Sequence, residues 1–71
     1  MEIFVFKTNL KYKKNLADVI PHLNSIEGII RWNVDFHDQD RVLRIVSHQL
    51  SPQLVTRAVH AAGYVCEELP D

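Results

Sequence analysis

The stretch Ile30-Arg31-Trp32-Asn33-Val34-Asp35-Phe36-His37 sets four apolar side chains in strict alternation with four polar ones. A period of two marks a β-strand with one buried face. Asp38-Gln39-Asp40 follows as a cluster of turn formers, and Val42 to Ser47 returns with Leu43 and Ile45 two residues apart. The segment predicts an antiparallel hairpin. A two-residue connection through Gln39 and Asp40 sets Phe36 opposite Leu43 and Val34 opposite Ile45, with Asp35 facing Arg44 on the outer side.

On the N-terminal side, Gly28 is expected to end a helix. Leu16, Val19, Ile20, Leu23 and Ile26 recur at helical spacing, with Asn15 placed as N-cap and Asp18 in the first turn. Pro21 lacks a backbone donor and restricts Ile20, which predicts a kink or irregular turn without loss of the helix. Before it come a polar loop, residues 8–14, and a short apolar strand from Ile3 to Lys7. On the C-terminal side, Ser51-Pro52 reads as N-cap and first helical residue. Leu54, Val55, Ala58, Val59 and Ala62 form the apolar stripe, and Gly63 ends it. Val65 to Leu69 gives a last strand and Pro70-Asp71 a tail.

The order β-α-β-β-α-β is the ferredoxin-like, α+β pattern. Right-handed crossovers set both helices on one face of a four-stranded antiparallel sheet of order 4-1-3-2. The other face stays open. It is expected to carry Arg31, Asn33, Asp35, Val42, Arg44 and Val46, with either Ile3/Val5 or Phe4/Phe6.

Seventy-one residues suit one domain spanning 1–71. A chain of this size buries only about 60% of its unfolded surface, so most apolar residues must serve the core. With a net charge of −1, nothing points to a general affinity for nucleic-acid phosphates, and the one local basic run is Lys7, Lys11, Lys13 and Lys14. The single cysteine, Cys66, permits no internal disulfide and fits a reducing compartment. No stretch approaches the roughly 20 apolar residues of a membrane span, and the first residues lack a signal-peptide pattern, so a cytoplasmic location is expected.

Three short motifs add a resemblance. Ile26-Glu27-Gly28-Ile29, Val34-Asp35-Phe36 and Ala61-Ala62-Gly63-Tyr64 resemble the L-x-G-V, V-D-[FL] and closing Ala-Gly-Tyr motifs of the heavy-metal-associated domains. That family includes small copper chaperones and domains of metal-pumping ATPases. It binds metal through a C-x-x-C loop before the first helix. By the family's spacing, its two cysteines fall on Tyr12 and Asn15, and its usual methionine on Leu10. The resemblance thus implies a degenerate metal loop, since a phenol and a carboxamide are poor replacements for thiolates.

Other metal donors are scattered. His22 and His60 belong to different helices, and His37 and His48 to opposite ends of the hairpin. No pair has the spacing of a zinc site. Cys66 reads as a small core residue. Glu67-Glu68 and Asp38/Asp40 read as solvated strand-end and turn residues, and no catalytic set or phosphate-binding glycine loop can be assembled. The expectation is a non-enzymatic interaction or regulatory module without cofactor. Unconventional metal binding through His and Cys66 is the alternative. Two kinds of surface are candidates. One is a docking tip of Leu10, Lys11, Tyr12, Lys13, Lys14 and Asn15, with Tyr64 beside it by resemblance. The other is the open sheet face or a free strand edge, for a protein partner or self-association.

Overall fold

The computed structural model describes residues 1–70; Asp71, the end of the expected tail, lies outside the described residues. The elements are β1 (Glu2–Thr8), a 3-10 turn (Lys13–Asn15), α1 (Leu16–Asn24), β2 (Ile29–Asp35), β3 (Val42–Ser47), α2 (Pro52–Ala61) and β4 (Cys66–Glu68). The sheet order is β2-β3-β1-β4 with every pair antiparallel, which is the expected 4-1-3-2 topology. Both helices cover one face. Val19 and Leu23 of α1 and Val55 and Val59 of α2 meet Phe6, Leu43 and Ile45 of the sheet in one core cluster. Truncating such a fully buried aliphatic typically costs about 2–5 kcal/mol.

The two choices for β1 resolve in favour of Phe4 and Phe6 inside. Phe6 is fully buried and Phe4 packs against the core, while Ile3 and Val5 join the open face. Val46 belongs to that face by register, yet it is buried, flanked by Ile3 on β1 and Arg31 on β2.

The hairpin keeps its expected faces but not its expected register. Val34 stands opposite Leu43, Trp32 opposite Ile45 and Asn33 opposite Arg44, so Asp35 meets Val42 and not Arg44. The cause is a longer connection, residues 36–41, folded by its own side chains. Asp35 Oδ1 accepts from His37 N–H at 2.9 Å and Asp38 Oδ1 from Asp40 N–H at 2.8 Å. The Arg41 guanidinium donates to the carbonyls of Phe36 and Asp38, with its backbone at φ +47°. A shift by two preserves which face is buried, and this is why the pattern alone did not reveal it.

Four further expectations need correction. A β-bulge between Ile29 and Arg31 leaves Ile30 57% exposed and turns Ile29 towards the core. Gly28 does not end α1. The helix closes at Asn24, and Gly28 (φ +99°) serves the next approach, where its carbonyl accepts from His48 N–H at 2.8 Å. Leu54 of the α2 stripe is exposed. The last strand is limited to Cys66–Glu68, with Val65 exposed before it. Pro21 lies inside α1, which runs on to Asn24, so the proline does not end the helix, as expected.

Candidate functional site

The connection between β1 and α1 forms one end of the domain. Leu10 is fully buried in the core cluster, so it anchors this tip from beneath and is not part of an exposed docking surface, contrary to expectation. Its apolar side chain sits alone in a polar run, which is the signal that could have identified it as an anchor. Thr8 secures the same turn. Its hydroxyl accepts from Leu10 N–H at 3.3 Å and donates to the Arg41 carbonyl at 2.6 Å, while its own N–H donates to the Asp40 carbonyl.

Above Leu10 the chain is closed by Asn15. Its Oδ1 accepts from Tyr12 N–H at 2.8 Å and Lys11 N–H at 3.2 Å, and its N–H donates to the Tyr12 carbonyl at 2.9 Å. Asn15 is therefore not the forward-facing N-cap of α1. It lies in helical conformation at the end of the 3-10 turn, and its carboxamide reaches back to orphan donors one turn earlier. The helix is entered through Lys13–Asn15, so Leu16 is already its first α residue.

Tyr12, Lys11, Lys13 and Lys14 stand outside this closed turn. Tyr12 is 58% exposed, and Lys14 Nζ lies 5.5 Å from its ring centroid, within cation–π range. Tyr64 does come to the same end. The α2 C-terminus forms a Schellman motif: Tyr64 N–H donates to the Val59 carbonyl and Gly63 N–H to the His60 carbonyl, with Gly63 at φ +99°. This turns the Tyr64 hydroxyl onto Asp18 Oδ2 at 2.5 Å. The phenol is held above its ordinary pKa, first by this hydrogen bond, which only the protonated form donates, then by desolvation and the carboxylate charge; Asn15 acts in the opposite sense. Asn9 Oδ1 adds a bond from Val65 N–H at 2.8 Å. The roles of Asp18 and Asn9 at this end were not apparent, because their partners lie 46 and 56 residues away.

The remaining expected donors stay apart. Among the described residues no group of three His, Cys, Asp or Glu side chains converges as a metal ion requires. Cys66 is buried, and burial pushes its thiol up to about 11, against a lowering hydrogen bond to Thr56. A thiol held protonated is a poor ligand. The Asn15 oxygen is already committed to two backbone donors, so the tip does not fit a soft metal. Asp38 and Asp40 belong to the hairpin connection, where Asp40 also approaches Lys7 at 3.8 Å. Among the described residues no helix is long and apolar enough to cross a membrane.

Several solved structures share this architecture. The yeast copper transporter domain CCC2A, known in apo and Cu(I)-loaded states, superposes with a TM-score of 0.82 at 10% identity, over 100% of this chain and 99% of that one. The N-terminal domain of PacS from Synechocystis gives 0.81 at 18% identity, over 99% and 100% of the two chains. Oxidized MerP from Ralstonia metallidurans gives 0.81 at 18% identity, over 97% of each. No protein-family model matches the sequence, and no curated protein does. At such identities the likeness is one of architecture: the chain has the βαββαβ fold of the heavy-metal-associated domains.

Proposed function

We propose that this chain is a protein-interaction module that docks through its β1–α1 tip and carries no metal there. The observation that supports this reading is the division of labour at the tip. Leu10 and Asn15 hold its shape from within, while Tyr12, Lys11, Lys13 and Lys14 stand exposed around it. On the resemblance, Tyr12 and Asn15 occupy the places of the two metal thiolates. Copper(I) is bound by the yeast transporter domain of the same fold. Here the corresponding end offers a phenol and an engaged carboxamide instead. Three ammonium groups beside one aromatic ring suit an acidic protein surface, the ring supplying buried area and the charges steering approach. No reaction is part of this reading, and the role is that of an adaptor or regulator.

Two measurements test it. Proteins retained by the immobilised chain are compared with those retained by Tyr12→Ala and by the triple variant K11E/K13E/K14E. The reading expects a specific acidic partner to be lost from both variants, and an unchanged set removes it. Separately, Cu(I) and Zn(II) titrations followed by NMR are expected to show no stoichiometric complex. A tight 1:1 complex overturns the metal-free half and favours the unconventional-ligand alternative.

A further inference from the structure

β2 ends the sheet. β3 occupies one of its sides, and no strand among the described residues pairs with the other. Such an edge presents unpaired N–H and C=O groups and recruits another strand unless something blunts it. The bulge between Ile29 and Arg31 disturbs only the start of β2, and Arg31–Asp35 pairs regularly with β3. Over this regular stretch Arg31, Asn33 and Asp35 share the outer face and are exposed, while Trp32 and Val34 share the inner face and are half-buried.

The charges on this edge have no partner at home. Arg31 and Asp35 lie four residues apart on one strand, roughly 13 Å at ~3.3 Å per residue, too far to pair with each other. Neither forms a salt bridge among the described residues, and Asp35 uses one oxygen for the His37 N–H. Charges on an edge strand usually prevent pairing. These two are arranged so that a second copy of the same strand satisfies them.

We infer that the β2 edge is the seam of a homodimer, paired antiparallel about a two-fold axis through Asn33. In that register Arg31 faces Asp35 of the second copy, twice, and the Asn33 carboxamides face each other. On the inner side Trp32 faces Val34 of the second copy, again twice. Beyond the regular stretch, exposed Ile30 lies beside an open groove lined by Leu23, Ile26, Ile29 and Trp32. Other registers lose these matches. A slip by one residue sets outer side chains against inner ones. A slip by two replaces each ion pair with an amide contact, and a slip by four sets like charge on like charge. The product is a continuous eight-stranded sheet with all helices on one side. This inference does not depend on the docking role of the tip.

Sedimentation equilibrium over a concentration series tests it. Five residue pairs make a seam small beside the ~1,200 Å² of stable specific interfaces, so half-dimerisation is expected on the order of 0.1 mM. Arg31→Asp and Asp35→Arg each change an exposed side chain, and circular dichroism verifies that the fold is retained. Each alone is expected to weaken self-association by about tenfold. An equimolar mixture of the two variants is expected to recover wild-type association, because every charge again meets its opposite in the mixed dimer. A wild-type chain that stays monomeric at about ten times that concentration overturns the inference. So does a dimer indifferent to both substitutions, or a mixture that fails to recover.

Discussion

The Tyr64 hydroxyl donates to Asp18 Oδ2 at 2.5 Å, joining the third residue after α2 to the first turn of α1 across 46 positions of sequence. The bond adds a polar link beside the core, where Val19 and Leu23 of α1 and Val55 and Val59 of α2 share one cluster. It exists in the protonated phenol alone, which ties it to pH. Folding raises the Tyr64 pKa above its unfolded value of about 10. The contribution to stability is therefore complete below about pH 10 and is lost as pH rises through the folded value. Asp18→Asn should bring phenolate formation, followed by ultraviolet absorbance, back towards the ordinary range and flatten the alkaline loss of stability. An unchanged Tyr64 titration in that variant would contradict the assignment.

The two glycines share a φ of +99° but not their surroundings. A Cβ on Gly28 meets the His48 carbonyl oxygen at 3.0 Å, whereas one on Gly63 meets nothing within 4 Å. Gly63→Ala should cost about 1–2 kcal/mol, the penalty of a left-handed residue. Gly28→Ala should cost more, because the backbone joining β2 to His48 must also move. Urea denaturation of the pair checks the order, and equal costs would refute the steric part.

Asn15→Ala removes the acceptor for two backbone donors at the tip. Water can reach both donors, so the loss should be about 1 kcal/mol, within the range of a helix cap. Asn15→Asp keeps the acceptor and should recover most of that loss. The two unfolding midpoints decide the matter.

Cys66 should resist alkylation in the native chain at pH 8 and react once the chain unfolds, since the fold both covers the thiol and disfavours the thiolate. The folded pKa lies above the unfolded one, so this group adds stability below about pH 8.5 that fades as pH rises through about 11. Cys66→Ser, which buries a hydroxyl, should destabilise by about 1–3 kcal/mol. Rapid native labelling would show that the pocket opens freely.

The double variant Y12C/N15C tests whether the tip has the backbone of a metal loop. Two thiols three residues apart on that turn should bind one Cu(I) per chain, because thiolates suit this soft ion. The wild-type chain serves as the comparison in the same anaerobic titration. A variant that folds but binds no copper would separate the tip's shape from that of the metal-loaded loops.

Topology was legible because each element carried its own pattern. Trp32 and Val34 in β2, like Leu43 and Ile45 in β3, are two residues apart, while Val55 and Val59 are one helical turn apart. Register was less so: Asp35, Asp38 and Arg41 build a connection whose length depends on side-chain hydrogen bonds, and a shift by two leaves the hydrophobic pattern intact. The start of α1 was displaced for a similar reason, since an asparagine carboxamide can serve donors behind it as well as ahead. At the tip the exposed side chains were readable as a group. The anchoring role of Leu10 and the Tyr64–Asp18 link required the folded chain, because their partners are remote in sequence.

Thr8 gives the domain one further property. A single hydroxyl grips the start of the tip on one side and the return of the hairpin on the other. The two loops at this end are thus latched by the same atom, like a pair of shutters on one hook. Thr8 is also the last residue of β1 and pairs with Cys66 of β4, so a displacement of that strand end reaches both loops at once.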